Sequence, residues 1–237
     1  MAHPRTISDP ASMDARQSSS WIRIAFWISI AISIAVVVRR LLALAAPGGN
    51  APPPLAQLDN TFASHSILTL AHIIPALLFV LVAPFIVFRR QPLMVALGRA
   101  FYILGAVVGI TAYAMSTYSV GGWIERSAVL VFNSLFLLSL ARAFTYRRRL
   151  DPRLEPVWQL RSLAILLGIA TTRPVMGVFF ATERLTHLAP AQFFGIAFWI
   201  GFSINALAFE LWIRSAGRRS AGEATVLPGN AHPRSTL

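Results

Sequence analysis

Residues 162–181 read SLAILLGIATTRPVMGVFFA. The run carries a single charge, Arg173, and Pro174 follows it at once. A hydrocarbon core about 30 Å thick needs about 20 apolar residues in a helix, so this stretch is long enough to cross a bilayer. An arginine near the centre of such a helix costs about 2.5–3.5 kcal/mol on insertion scales and calls for a compensating interaction. Pro174 has no N–H to donate and disturbs the turn before it, which frees carbonyls near Thr171. Those carbonyls, Tyr113, Asn133 or water could satisfy the guanidinium, and so could an anionic group of a ligand. The sequence leaves both a structural hub and a ligand-facing arginine open.

The rest of the chain has the same character. With 56% hydrophobic and 13% charged residues it lies outside the composition of soluble domains. Hydropathy gives six spans, at Trp21–Ala46, Ser66–Phe88, Met94–Tyr118, Gly122–Phe144, Gln159–Ala181 and Pro190–Arg214. The expected fold is an all-α polytopic bundle of six transmembrane helices. It is flanked by polar tails, residues 1–20 and 215–237, whose Ser, Pro and Gly content predicts disorder. The long connection after the first span, PGGNAPPPLAQLDNTFASH, is rich in proline and is expected to hold no long helix.

Net charge is +12, carried by 21 arginines without a lysine, as a GC-rich bacterial genome would supply. No basic stripe with interleaved aromatics marks a soluble nucleic-acid-binding domain, so the charge reads as topology. With the N-terminus inside, 15 arginines fall on or near the cytoplasmic side, among them Arg16, Arg89, Arg90, Arg147, Arg148 and Arg149. Only Arg39, Arg40, Arg126 and Arg184 fall near the outer side. Both termini are therefore expected in the cytoplasm, and the expected location is a bacterial plasma membrane. In the first span, Ile24–Val38 and the following LALAAPGG resemble a signal peptide with its cleavage site. Arg39 and Arg40 interrupt that pattern, and an uncleaved anchor is expected.

Polar residues inside the spans are the candidate functional groups. In the third span Arg99, Tyr102, Ala106, Gly109, Tyr113 and Ser116 recur every three or four residues and form one stripe. That stripe is expected to face the bundle interior, with Ile103, Val107 and Ile110 toward lipid. Gly105 and Gly109 form a small-residue pair that allows close approach of a neighbouring helix. His72 lies two turns into the second span, and Glu125, Arg126 and Asn133 occupy the outer half of the fourth. Toward the inside, Arg142, Arg161 and Glu210 form an expected structural charge cluster.

These groups exclude several chemistries. The absence of cysteine removes disulfides, thiolate metal sites and a cysteine nucleophile. No two His, Asp or Glu residues share ligand spacing at one depth, so no metal site is expected. Gly201 and Ser203 faintly suggest an intramembrane serine hydrolase, but no histidine-bearing helix follows them, and no catalytic residue is assigned. A haem between facing histidines needs two axial ligands from different helices, and His72 is the one clearly embedded histidine. His65 lies on the same helix face about 10 Å away along the axis.

Gly98-Arg99-x-x-Tyr102, Trp158-x-x-Arg161-Ser162-x-Ala164, Arg173 and the early His72 resemble a bacterial membrane family catalogued as domain of unknown function 2306. The resemblance covers roughly Ile67 to Arg214 and implies a multi-helix membrane protein, without supplying a reaction. Members of that family often carry His-Arg pairs where this chain has Met94-Val95 and Glu155-Pro156. If those histidines bind a metal or haem in relatives, that chemistry is not carried over here.

Two functions follow as expectations. One is binding or transport of a small anionic or quinone-like molecule in an interior built from His72, Arg99, Tyr102, Tyr113 and Arg173. The other is a redox component with haem on His72, beside the bland reading of a membrane scaffold. The arginine bias also yields a topology test. A reporter fused after Leu237 should be active only as a cytoplasmic one, and a reporter inserted near Pro53 only as an external one. An external C-terminus would overturn the six-span arrangement.

Overall fold

A computed structural model of the chain describes residues 10–46, 53–88, 94–182, 185 and 187–226. The helices are α1 (Pro10–Ala45), α2 (Pro53–Ala63), α3 (Ser66–Phe88), α4 (Met94–Ser116), α5 (Gly122–Arg148), α6 (Leu154–Leu166), α7 (Gly168–Ala181) and α8 (Pro190–Val226). Six stretches are long and apolar enough to cross a membrane: Ser20–Ala45, Ser66–Phe88, Leu97–Ser116, Gly122–Arg148, Leu154–Ala181 and Ala191–Ser215. The chain is an all-α polytopic bundle, with span ends within a few residues of those expected. Arg89, Arg90, Glu183 and Arg184 lie outside the described residues, as do the tail segments 1–9 and 227–237.

The structure differs from expectation in the tails and in the fifth span, and it adds a short helix in the outer connection. Helix continues into both tails, from Pro10 and as far as Val226, where disorder was expected. A membrane helix is already nucleated, and each added residue gains one backbone hydrogen bond. The proline-rich outer connection contains the short helix α2, because Pro53 and Pro54 stand in its first turn, where a missing N–H costs nothing. The fifth span is two helices, α6 and α7, broken at Leu167.

Neighbours in sequence pack as neighbours in space: α3 on α4, α4 on α5, α5 on α6 and α7 on α8, with α8 returning against α5 and α1 docking on α3 and α7. Lipid is as apolar as leucine, so close packing rather than exclusion from water holds these helices together. Phe79 and Phe101 are fully buried and stack at 4.6 Å, and Phe136, Leu140 and Leu163 join them in the main core. A second core at the other end sets Phe193 against Phe179, 5.3 Å apart, with Met176 and Ala197. Part of the α4 stripe sorts as expected: Tyr102 is 8% exposed and Ser116 4%, against 64% for Ile103 and 66% for Ile110, whereas Arg99 is exposed. Gly105 and Gly109 receive side chains, Leu140 with Phe79 and Leu137 respectively, rather than a neighbouring backbone.

Backbone meets backbone elsewhere. A Cβ on Gly195 would stand 2.6 Å from the Glu125 backbone nitrogen, and one on Gly201 2.6 Å from that of Thr172. These two glycines set α8 against α5 and α7. Gly195→Ala should therefore lower thermal stability in detergent by about 1–3 kcal/mol, since backbone cannot give way as a side-chain tip can. Gly177→Ala is the control, because nothing lies within 4 Å of a Cβ there and no loss is expected. Equal behaviour of the two variants would show that α8 is not seated this way.

Candidate functional site

A cavity of about 260 Å³ lies between α1, α3, α4, α5, α7 and α8, with side chains of α2 and α6 also on its wall, in the half of the bundle that the arginine count places outermost. Its walls are largely apolar, from Val80, Val108, Phe132, Phe136 and Phe202. The charged side chains on its wall are Arg40, Glu125 and Arg173, with His72 and Asn133 beside them.

The break at Leu167 places Arg173. Asn205 of α8 donates from Nδ2 to the Ala164 carbonyl at 2.8 Å and accepts from the Thr171 hydroxyl at 2.8 Å. The break thus frees the Ala164 carbonyl, three residues before Leu167, and a side chain satisfies it; this is not the carbonyl that Pro174 was expected to free near Thr171. Thr172 packs against Gly201 on the same α8 face. A further 100° around the helix, Arg173 and Ile169, four residues apart, both reach the cavity wall. The guanidinium donates from Nη1 to the Met176 sulfur at 3.7 Å, a weak acceptor, and its buried Nε has no partner among the described residues. No carboxylate lies within ion-pair distance of it among the described residues.

The neighbouring charges are engaged. Glu125 folds back on the start of α5 and accepts the Gly121 N–H at 2.6 Å. Arg40 pairs with Asp59 of α2 at 2.6 Å and lies over the Phe62 ring at 3.9 Å. Asp59 also holds Arg39 at 2.9 Å, so α2 is clamped to the end of α1, and Phe62 forms part of the cavity wall. His72 Nδ1 is 2.9 Å from the Thr111 hydroxyl oxygen, whose hydrogen goes to the Val107 carbonyl at 2.7 Å. That hydroxyl can then only accept, which assigns the proton to Nδ1 and leaves Nε2 as an acceptor.

Of the five residues expected to share one interior, His72 and Arg173 do so. Arg99 is exposed at the inner end of α4. Tyr102 belongs to an inner network: its hydroxyl donates to Glu155 Oε1 and accepts from Gln159, each at 3.1 Å, and Arg147 lies over its ring at 5.5 Å. Tyr113 donates to the Ser134 hydroxyl at 2.7 Å on the α4–α5 seam and does not line the cavity. In the inner charge cluster Arg161 and Glu210 pair at 3.1 Å, and Arg214 shares that carboxylate at 3.0 Å. Arg142 stands apart from Glu210 and meets Arg161 only through Trp158, whose ring lies 5.6 Å from one guanidinium and 4.5 Å from the other.

Sequence reasoning missed Arg40, Asp59 and Phe62 as parts of the site. The signal available was a lone aspartate in the outer connection, within reach of two adjacent arginines at the end of the first span. What the arrangement offers chemically, among the described residues, is a cation without an ion-pair partner facing a largely apolar chamber. No family model, curated protein or solved structure matches this chain.

Proposed function

We propose that this multi-pass protein acts in a bacterial plasma membrane by binding or transporting a small anionic or quinone-like molecule in the Arg173 cavity. The observation that carries the reading is the Arg173 guanidinium, turned to a largely apolar chamber with no carboxylate within ion-pair distance among the described residues. Stranding an ion in a low-dielectric interior costs several kcal/mol, and a bound anion or carbonyl offsets part of that cost. The neighbouring side chains do not compete for the place. Arg40 is held by Asp59, and Glu125 by a backbone N–H.

A redox reading would put a haem iron on His72. Among the described residues no second imidazole lines the cavity, and the His65 ring lies tilted against that of Tyr118, their centroids 3.7 Å apart. A Soret band in the purified protein would nevertheless move the site to electron transfer.

Native mass spectrometry of the detergent-purified protein is the direct test, and a co-purifying small molecule is expected. Arg173→Leu should stay folded and lose that molecule. A hydrogen bond to a charged group contributes about 1.5–3 kcal/mol, so affinity should fall at least about tenfold. Arg173→Lys should also bind more weakly, since an ammonium cannot reproduce the planar fork. A folded Arg173→Leu protein that keeps its adduct would overturn the reading. So would an adduct-free wild type whose leucine variant unfolds, which is the behaviour of a structural hub.

A further inference from the structure

The cavity is polarised along the membrane normal. At about 1.5 Å per residue along each helix, counted from its outer end, Arg40 lies about 8 Å deep, His72 about 9 Å and Arg173 about 12 Å. By the same count Val80 and Phe136 lie about 21 Å deep and Ile165 about 24 Å, so the floor of the chamber is apolar and beyond mid-membrane. Four of the remaining polar side chains on the wall have a donor used within the protein. Ser33 donates to Ser29, Thr69 to Phe62 and Ser116 to Tyr113, all backbone carbonyls, and Asn133 donates to the Gly109 carbonyl. Among the described residues the chamber therefore holds an unpaired positive charge nearer its outer end, with a largely apolar region below it.

We infer that the occupant is a single-chain anionic amphiphile, a medium-chain carboxylate held head-outward, with its carboxylate on Arg173 and its chain running down to Phe136 and Ile165. This assignment rests on the proposed binding role of the same cavity and decides between the two ligand classes named there. A quinone carbonyl accepts hydrogen bonds but leaves the guanidinium charge uncompensated, whereas a carboxylate meets both needs and can take two N–H donors at once. The 9–12 Å between Arg173 and the floor, from the depths above, fits about seven to nine carbons of a staggered chain with ~1.5 Å bonds. Octanoate to decanoate is the range that fills it. Head-outward seating also matches the orientation of an amphiphile in the outer leaflet, and places the charge just below the clamp of Arg39, Arg40 and Asp59.

The test uses the full chain in a neutral maltoside detergent, with binding of defined probes read by calorimetric titration. Decanoate is set against decanol, which keeps the chain without the charge, butyrate, which keeps the charge without the chain, and a decyl-substituted benzoquinone. Decanoate should bind at least about tenfold more tightly than each of the other three, the factor that about 1.4 kcal/mol represents. Ile165→Trp, which raises the floor, should shift the preferred chain length downward from decanoate toward hexanoate. These comparisons do not depend on an Arg173 variant that folds. If the benzoquinone binds and decanoate does not, the carboxylate assignment falls while the cavity remains a binding site. If no probe binds and native mass spectra show no adduct, the binding role falls with it.

Discussion

Inside hydrocarbon, a polar group finds its partner within the protein or goes without, because no water is there to replace it. The break at Leu167 is where this constraint shapes the bundle most. Opening the helix there frees the Ala164 carbonyl, and Asn205 closes the gap by bonding both that carbonyl and the Thr171 hydroxyl. One amide thus joins α6, α7 and α8, while Gly201 lets α8 come close enough to deliver it. With Thr171 and Thr172 committed to α8, the next position in the helical rotation turns to the chamber, and that position is Arg173. The site's central charge is placed by the repair of a broken backbone, not by an ion pair of its own.

Much of the fold was legible because length and apolarity alone define a span. Periodicity then told the two sides of α4 apart, since its stripe of small and hydroxyl-bearing residues contrasts with Ile103 and Ile110. Depth along a span was also readable: Glu125, Asn133 and Arg173 share one cavity, and Glu210, grouped by depth with the inner arginines, pairs with Arg161 though not with Arg142. What could not be read was the rotation of each helix about its axis where all faces are apolar. Tyr113 was expected to reach Arg173, yet it points along the seam to Ser134. The clamp between α1 and α2 was hidden for a different reason. Pro53 and Pro54 look like helix breakers in a loop, whereas at a first turn they start a helix, and only that helix brings Asp59 and Phe62 to Arg40.

The allocation of charge gives the last step. Acidic residues are scarce, nine against 21 arginines, and two of them each serve two arginines at once. Asp59 bridges Arg39 and Arg40 near the outer surface, and Glu210 bridges Arg161 and Arg214 near the inner one. Both bridges stand near the ends of spans, where long side chains also reach the interface and the pair contributes modestly. Arg173 is the deeper charge, where a partner would matter most, and among the described residues none is supplied. Glu125, the carboxylate that shares its cavity, is turned instead to the Gly121 N–H at the start of α5. A leucine at 173 would insert more easily by about 2.5–3.5 kcal/mol and would ask for no partner at all. A residue that costs this much, has no ion-pair partner among the described residues and faces a largely apolar chamber is the feature that the proposed anionic ligand would answer.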